Sequence, residues 1–528
     1  MDLFWLGILV VSVSYIIKIY TRGVSNGAIN AFLQEGEIPR EAYADVAMGT
    51  IPSDFDPLTT QVAQIFAQNA QNAGKVGALF VSNATEALLH RVALARIAQK
   101  SILLQTYIYQ NDAESRLLMF ELWRAANRGV CVRILIDDNG LDSDFSDIIA
   151  LDSHPNIEVR IFNPYHNRNR LLRLIEMVRD FKRVTHRMHN KLFVVDNFAC
   201  IVGGRNIADN YFDSDKNVNF VDTDVVFVGV LAQKATESFT SYWNYRRSIC
   251  ADFLIYMTSD SYLKNLQKTI QHKIKEPPKD WQHYNQIMEK FLEAYQNGTF
   301  QIFWGHAELI ADLPQKIDEE TTERPITRAL IDITQHTKHK LDIAAAYFVP
   351  GKNGIAMNHE LAKRGVQIRV LTNSLSSVDS VAVYAKWEKY RKQLLQNDVA
   401  IYEYPYYGKK KKSGIRGKIK SGSSLHSKVL VFDEKITWIG SFNLDQRSNC
   451  LNTEIVAIFD NEDFAKKVCE NINNDMESSW KVSFENQQTI WQGYDRFGVF
   501  RTHKHAPDTS IFLRILNLCA KILPENQI

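Results

Sequence analysis

The sequence is poor in several things at once, and each shortage excludes something. Its 528 residues hold six cysteines, at 131, 200, 250, 450, 469 and 519, and no pair stands in C-x-x-C spacing. That argues against a zinc site or a disulfide framework; Cys131 and Cys200, inside apolar runs, read as small core residues. The net charge is only +2, so the chain is no wholesale polyanion binder, and any basic surface must be local. No Asp, Glu and His grouping has the spacing of a hydrolytic metal cage, so neither a metal nor a cofactor is expected. Gly203-Gly204 lacks the spacing of a Walker or Rossmann loop. Long apolar runs are missing too, with one exception.

That exception is Leu3 to Ile17, broken only weakly by Gly7, Ser12 and Ser14. A membrane-spanning helix needs about 20 apolar residues. The run reaches this length if Lys18 snorkels and Ile19 and Tyr20 sit at the interface. Asp2 precedes it, while Lys18 and Arg22 follow, which is the reverse of a secretory signal. An uncleaved membrane anchor is expected, with the body on the cytoplasmic side. A cleaved signal with a periplasmic or secreted body is the alternative.

With 45% hydrophobic and 23% charged residues the chain has ordinary globular usage and room for two or three cored domains. Ser101 to Tyr109 reads as a strand, Glu114 to Asn127 as a helix and Val130 to Asp137 as a strand. Leu341 to Phe348, Ile355 to Lys363 and Val366 to Leu371 repeat that order. This is β-α-β alternation, with parallel strands and helices on the sheet faces. Arg128 to Leu135 matches Arg364 to Leu371 in character at every position but that of Cys131 and Gln367, 236 positions on. Ala84 to Ala98 has helical spacing behind the cap candidates Ser82 and Asn83. Ser261 to Asn297 reads as a polar, partly helical connection, and Asp312 to Arg324 as an acidic surface loop.

The repeat is tightest at one string. His189, Lys191, Asp196, Gly203, Gly204 and Asn206 recur as His426, Lys428, Asp433, Gly440, Ser441 and Asn443, each 237 positions on. Two such strings in one register imply duplication. Their chemistry suits phosphate. Histidine can attack phosphorus or carry a proton near neutral pH. Lysine is a point charge for phosphate oxygens, and asparagine donates a hydrogen bond without adding charge. Leu192 to Val195 and Ala199 to Val202 read as a buried hairpin, repeated at Val429 to Phe432 and Ile436 to Ile439.

This doubled His-x-Lys-x4-Asp-x6-Gly-Gly/Ser-x-Asn string resembles the phospholipase D superfamily. Gly203 to Phe212, Gly440 to Ser448 and Leu451 to Glu454 resemble, more narrowly, the bacterial cardiolipin synthase C type. The resemblance covers roughly Gly77 to Val499. It implies an α/β fold of two duplicated phospholipase D-like α/β/α sandwich lobes in pseudo-twofold arrangement, sharing one active site. The corresponding division is a hydrophobic anchor at 1–24, a linker at 25–73, a first lobe at 74–256, a connecting helical region at 257–310, a second lobe at 311–500 and an amphipathic tail at 501–528. The resemblance also makes the membrane of that anchor a bacterial inner membrane.

The implied reaction is phosphatidyl transfer, forming cardiolipin from phosphatidylglycerol and another phospholipid such as phosphatidylethanolamine. His189 is assigned as nucleophile, because in related enzymes the first-lobe histidine usually plays that part, and His426 as acid and base. Lys191, Lys428, Asn206 and Asn443 would neutralise and hydrogen-bond the phosphoryl oxygens. Asp196 and Asp433 complete the motif, either as catalytic groups or as structural anchors of the hairpins. Glu454 and Asp224 are candidates to orient the imidazoles, against the blander reading of ordinary surface acids. Gly203, Gly204, Gly440 and Ser441 are expected to line the substrate site. Lys409, Lys410 and Arg416 belong to one of two basic segments, one ahead of each motif, and are expected to meet an anionic substrate or membrane surface. A water-using phospholipase D and a nucleic-acid phosphodiesterase are the alternatives; the modest net charge disfavours nucleic acid. A catalytically dead lipid-binding module is disfavoured because both motifs are complete. The enzyme is expected to work as a monomer. In the tail, Ile511, Phe512, Ile515, Leu518, Ile522 and Leu523 share a helical stripe opposite Arg514, Asn517 and Lys521. Both a helix docked on the body and an interfacial membrane helix fit that pattern.

Overall fold

The computed structural model describes residues 51–52, 54–66, 74–141, 146–166, 170–251, 281–319, 321–406 and 422–523. The expected anchor at 1–24, together with Lys409, Lys410 and Arg416, lies outside these residues. No helix among the described residues is long and apolar enough to cross a membrane.

The first lobe contributes strands β1 (Val76–Val81), β2 (Ser101–Thr106), β3 (Cys131–Asp137), β4 (Ile157–Phe162), β5 (Leu192–Val195), β6 (Ala199–Gly203), β7 (Val218–Val221), β8 (Asp224–Val228) and β9 (Ser248–Cys250). The second contributes β10 (Phe303–Ala311), β11 (Lys340–Ala345), β12 (Gln367–Asn373), β13 (Ala400–Tyr404), β14 (Gly422–Leu425), β15 (Lys428–Phe432), β16 (Ile436–Gly440), β17 (Ile455–Asp460), β18 (Trp480–Glu485), β19 (Gln488–Tyr494) and β20 (Phe500–His503). Across the first sheet the order is β1-β8-β6-β5-β2-β3-β4-β9. Across the second it is β10-β17-β16-β15-β11-β12-β13-β18, lengthened by β19 and β20. In each lobe the third-position crossovers are parallel, β2-β3-β4 and β11-β12-β13, and the rest are antiparallel. Parallel neighbours need a long return connection, and helices Ala84–Ile97, Ala113–Asn127, Gly351–Lys363 and Val381–Gln396 occupy the chain between these strands or just ahead of them. Two of those starts are fixed by caps: Asn83 accepts from the Glu86 amide at 3.0 Å, and Asp112 from the Ser115 amide at 3.1 Å.

Strand pairing joins the lobes at more than one place. Strand β10 pairs with β1 through its first residues and with β17 through the rest, so the two sheets run into one of 18 strands. Strands β7 and β14 also pair in parallel across the seam. The counterpart of this second contact is the single Met188–Thr453 bridge. One apolar core draws on both lobes, with Val194, Phe227, Val431, Phe459 and Ile472 in one buried cluster, while separate clusters fill the outer face of each lobe. Central strands buried on both faces explain the unbroken apolar runs such as Val225–Val228.

β10 holds the place in the second sheet that β1 holds in the first. The stretch 312–324 is not simply a surface loop. Asp312 and Lys316 are buried and paired at 2.7 Å, and Asp318 takes Arg247 and Arg246 from the first lobe at 2.7 and 2.9 Å.

Asp196 and Asp433 stand at the hairpin turns, at the end of β5 and β15 away from the histidines. Each turn carries two central residues with positive φ, Asp196-Asn197 and Asp433-Glu434, within a three-residue connection closed by Phe198 N–H to Val195 O at 3.1 Å and Lys435 N–H to Phe432 O at 3.0 Å. Asp196 accepts the amides of Gln99, Lys100 and Ser101 at 2.9, 2.7 and 3.0 Å; Asp433 accepts those of Lys338, His339 and Lys340 at 2.8, 2.7 and 2.9 Å. These carboxylates tie the turn to the start of the neighbouring strand, so the catalytic part considered for them is withdrawn. Asp196→Ala is expected to cost about 2–3 kcal/mol of stability, because it strands buried amides, and Asp433→Ala less, because two of its amides are exposed. Urea titration measures this. Full stability with lost turnover would return Asp196 to the catalytic group.

Candidate active site

Each histidine sits just ahead of its strand, and its backbone is pinned from both lobes. Asp137 accepts the Met188 amide at 2.9 Å, and Asn373 accepts the Leu425 amide at 2.8 Å. The histidine amides then cross the seam: His189 N–H donates to Thr453 O at 2.9 Å and His426 N–H to Val221 O at 2.8 Å. The rings cross as well. His189 Nδ1 lies 2.8 and 3.0 Å from the two Glu454 oxygens, and His426 Nδ1 lies 2.6 Å from Asp222 Oδ2. The carboxylate of each lobe therefore holds the imidazole of the other. Neither half-site is complete alone.

Burial sets the charge state. It pushes His189 down to about 4, against the raising effect of Glu454, and the charges of Lys191 and Lys428 lower it further. It pushes His426 well below the ordinary histidine range, joined by Lys428, Lys191 and His189 itself. Both imidazoles are thus neutral near pH 7, with Nδ1–H donated to a carboxylate and Nε2 carrying the lone pair. Burial also lowers the lysines, Lys191 to about 7. Lys191 Nζ donates to His189 O at 2.7 Å, and Lys428 Nζ stands 3.1 and 3.3 Å from the ring nitrogens of His426. Two buried ammonium groups beside two neutral imidazoles make a site for an anionic phosphodiester, whose charge would restore the lysines' proton affinity.

Glu454 is buried completely and further fixed by Ser441 and Ser448, the latter donating to Oε1 at 2.7 Å. Burial would raise its proton affinity, but His189 and Lys191 hold the carboxyl below its usual range. Asp224, the other expected orienting acid, meets neither imidazole. It pairs with Arg91 at 2.9 Å and Arg205 at 3.4 Å under the sheet. The role belongs to Asp222, which sequence reasoning passed over. Strand register decides it: Gly203 faces Asp224 across β6–β8 and Gly440 faces Val456 across β16–β17, so Asp222, not Asp224, corresponds to Glu454. The shared Thr223 and Thr453 suggested a register two residues off.

The remaining assignments divide. Asn206 is occupied: its oxygen accepts the Ile108 amide at 3.1 Å and its nitrogen donates to Tyr211 OH at 2.7 Å. It also positions Tyr211, whose ring stands edge-on 5.1 Å from His426. Asn443 differs, since its buried side-chain oxygen has no partner. Gly203, Gly204, Gly440 and Ser441 are buried behind the histidines' carboxylates. A Cβ on Gly204 would come within 2.4 Å of Asp222 Oδ1, so this glycine lets the orienting carboxylate approach, and Ser441 acts on Glu454. Tyr107 beside His189 and Phe220 beside His426, at 5.2 and 5.0 Å between ring centres, are walls that the motif spacing did not announce. One His/Glu/Asp group comes together among the described residues, His166, Glu176 and Asp180, but the Arg183 guanidinium already bridges both carboxylates.

Comparison with known proteins gives a consistent set of likenesses. The family model described as "Cardiolipin synthase, PLD-like domain" matches residues 92–243 and 330–476. An uncharacterised protein of Helicobacter pylori (strain J99) is 43% identical over 483 residues, covering 90% of this chain and 94% of the relative. Cardiolipin synthase C of Escherichia coli (strain K12) is 34% identical over 478 residues, covering 86% of this chain and 96% of the relative. The crystal structure of phosphatidylserine synthase from Haemophilus influenzae superposes with a TM-score of 0.55 at 13% identity, covering 87% of this chain and 96% of that one, a likeness of fold.

Proposed function

The chain belongs to the phospholipase D-like cardiolipin synthase family, as a phosphatidyltransferase of that type, and from this premise we propose that it makes cardiolipin from phosphatidylglycerol and a second phospholipid through a phosphohistidine. The observation that carries the reading is the crossed pair of neutral imidazoles, each held by the other lobe's carboxylate beside a buried lysine.

In the first step His189 Nε2 attacks phosphorus of the donor lipid. With the anionic phosphodiester bound, His426 takes up a proton at Nε2; the P–N bond forms and the P–O bond to the leaving alcohol breaks as His426 passes that proton to the alcohol oxygen. In the second step His426 takes the proton from the phosphatidylglycerol hydroxyl, whose oxygen attacks phosphorus as the P–N bond breaks. Glu454 stabilises the imidazolium character that develops on His189, and Lys191 and Lys428 stabilise the charge on the phosphoryl oxygens. The order of the histidines is supported by their surroundings. Each lysine donates to its own histidine's carbonyl, and the Lys428 ammonium alone also stands at the ring, 3.1 and 3.3 Å from the His426 nitrogens, which suits proton exchange there. The setting proposed is the bacterial inner membrane, with the body on the cytoplasmic side, on the charge asymmetry around Leu3 to Ile17.

Expression in a bacterium that makes no cardiolipin, followed by lipid mass spectrometry, tests the reading. Cardiolipin should appear, and feeding deuterated glycerol lipid should mark which partner gives the phosphatidyl group. Accumulation of phosphatidic acid without cardiolipin would make water the acceptor and replace the transferase reading by a hydrolase.

A further inference from the structure

The C-terminal helix, Ile511–Ala520, lies on the body with its polar side inward. Asn517 is buried and donates to Glu388 on helix Val381–Gln396 at 2.9 Å; Lys521 pairs with the same carboxylate at 2.9 Å, and Lys386 donates to Lys521 O at 2.8 Å. The opposite stripe faces out: Ile511, Phe512, Ile515, Leu518 and Ile522 are 76, 63, 55, 64 and 87% exposed. Docking on the body and exposure of an apolar stripe, alternatives at the level of sequence, both hold. The β19–β20 hairpin just upstream repeats the pattern, with Phe497 at its tip and Phe500 both exposed. Of the fourteen exposed large hydrophobic residues among those described, nine fall between Tyr494 and Ile522. Scatter over a surface is ordinary; concentration in two neighbouring segments marks an interaction face.

The charge around this face selects the partner. From Tyr494 to Leu523 the chain carries Arg496, Arg501, Lys504, Arg514 and Lys521 against Asp495 and Asp508. Asp495 is already engaged by Arg501 at 3.1 Å. An apolar stripe with a cationic surround fits an anionic lipid surface. A second copy fits poorly, because a twofold contact would set like-charged faces against each other. The face is also one-sided. Among the described residues the first sheet ends at β9, with nothing equivalent to β19, β20 or the helix. Among the described residues this surface is carried on the second lobe alone.

We propose that the helix Ile511–Ala520 and the tip of the β19–β20 hairpin seat the second lobe on an anionic phospholipid bilayer, the helix lying in the interfacial plane. The proposal rests on the phospholipid-substrate reading for the identity of its partner. It assigns the seating of the catalytic body to these two segments, separately from the apolar run at the N-terminus.

The full chain with the photo-crosslinking residue p-benzoylphenylalanine in place of Phe497 or of Phe512 is irradiated with vesicles of phosphatidylglycerol and phosphatidylcholine. Lipid adducts are expected at both positions, and at least about tenfold more than with the same residue in place of Lys467 on the helix Glu462–Glu477, with the yield falling severalfold on phosphatidylcholine alone. Adducts joining two protein chains would make the face a dimer interface and overturn the proposal, as would equal yields at all three positions. A second variant, Ile511→Ser with Phe512→Ser and Ile515→Ser, should lose about tenfold or more of its turnover on vesicles while hydrolysing a soluble nitrophenyl phosphodiester like the parent. Equal turnover on vesicles would overturn docking. Failure of the parent itself on both substrates would strike the proposed function and leave the crosslinking result to stand alone.

Discussion

His189→Ala and His426→Ala should both reduce lipid turnover by at least about 10⁴-fold, and the double variant should be no worse than His189→Ala, because the two rings serve one double displacement. They should part company on a substrate whose leaving group needs no proton. With a nitrophenyl phosphodiester, His426→Ala should still release about one equivalent of nitrophenol per enzyme and then stop, because breakdown of the adduct needs the missing base. His189→Ala should release none. Phosphohistidine is acid-labile, so the reaction is quenched at neutral or alkaline pH, digested and mapped by mass spectrometry. The adduct should lie on a peptide containing His189. An adduct on His426 in the His189→Ala variant would exchange the two roles. Near-parental lipid turnover by both single variants would end the shared-site mechanism, which here depends on cross-lobe bonds at 2.6 and 2.8 Å.

The parts of this fold that were legible in the sequence are those set by local pattern. The 237-residue repeat announced two equivalent lobes, and apolar runs located the hairpins that carry His189 and His426 to within a residue or so. What stayed hidden depends on pairings between distant segments. β10 looks like a connection because alternating exposure along Phe303–Ala311 leaves few residues fully buried; only its pairing with both β1 and β17 makes it the strand that welds the sheets. Asp312 and Lys316 look like surface charges and are buried because each supplies the other's counter-ion. The orienting acids were half legible. Glu454 was found from its place after the glycine turn. Asp222 was missed because choosing between two aspartates two residues apart requires the strand register, which a motif does not contain. The same limit applies to Asn206 and Asn443: identical places in the repeat, yet one is committed to Tyr211 and the other is not.

The crossed carboxylates give the sharpest separation between chemistry and scaffold. Glu454→Gln keeps the shape and most of the hydrogen bonds but leaves His189 without a charged partner. By analogy with other carboxylate-oriented histidines, a loss of about 10²–10⁴ in kcat is expected. The pH profile should move as well. His189 sits at about 4 because burial lowers it more than Glu454 raises it, so removing that carboxylate lowers it further. The active form is the neutral ring, and activity is lost as pH falls through the folded-state value. The acid limb of kcat/KM should therefore shift to lower pH in Glu454→Gln, the opposite of a rescue. Asp222→Asn acts on His426 instead. It should impair lipid turnover comparably, yet leave release of nitrophenol in the first turnover close to the parent, since that step needs no acid; Glu454→Gln should remain slow there. Asp224→Asn is the control. It breaks a buried pair with Arg91 and Arg205 and should lower stability by about 3–5 kcal/mol without moving the acid limb. If Glu454→Gln and Asp222→Asn respond alike on both substrates, with the acid limb unmoved, the carboxylates only hold the lobes together, and the division of labour between the histidines has to be assigned on other grounds.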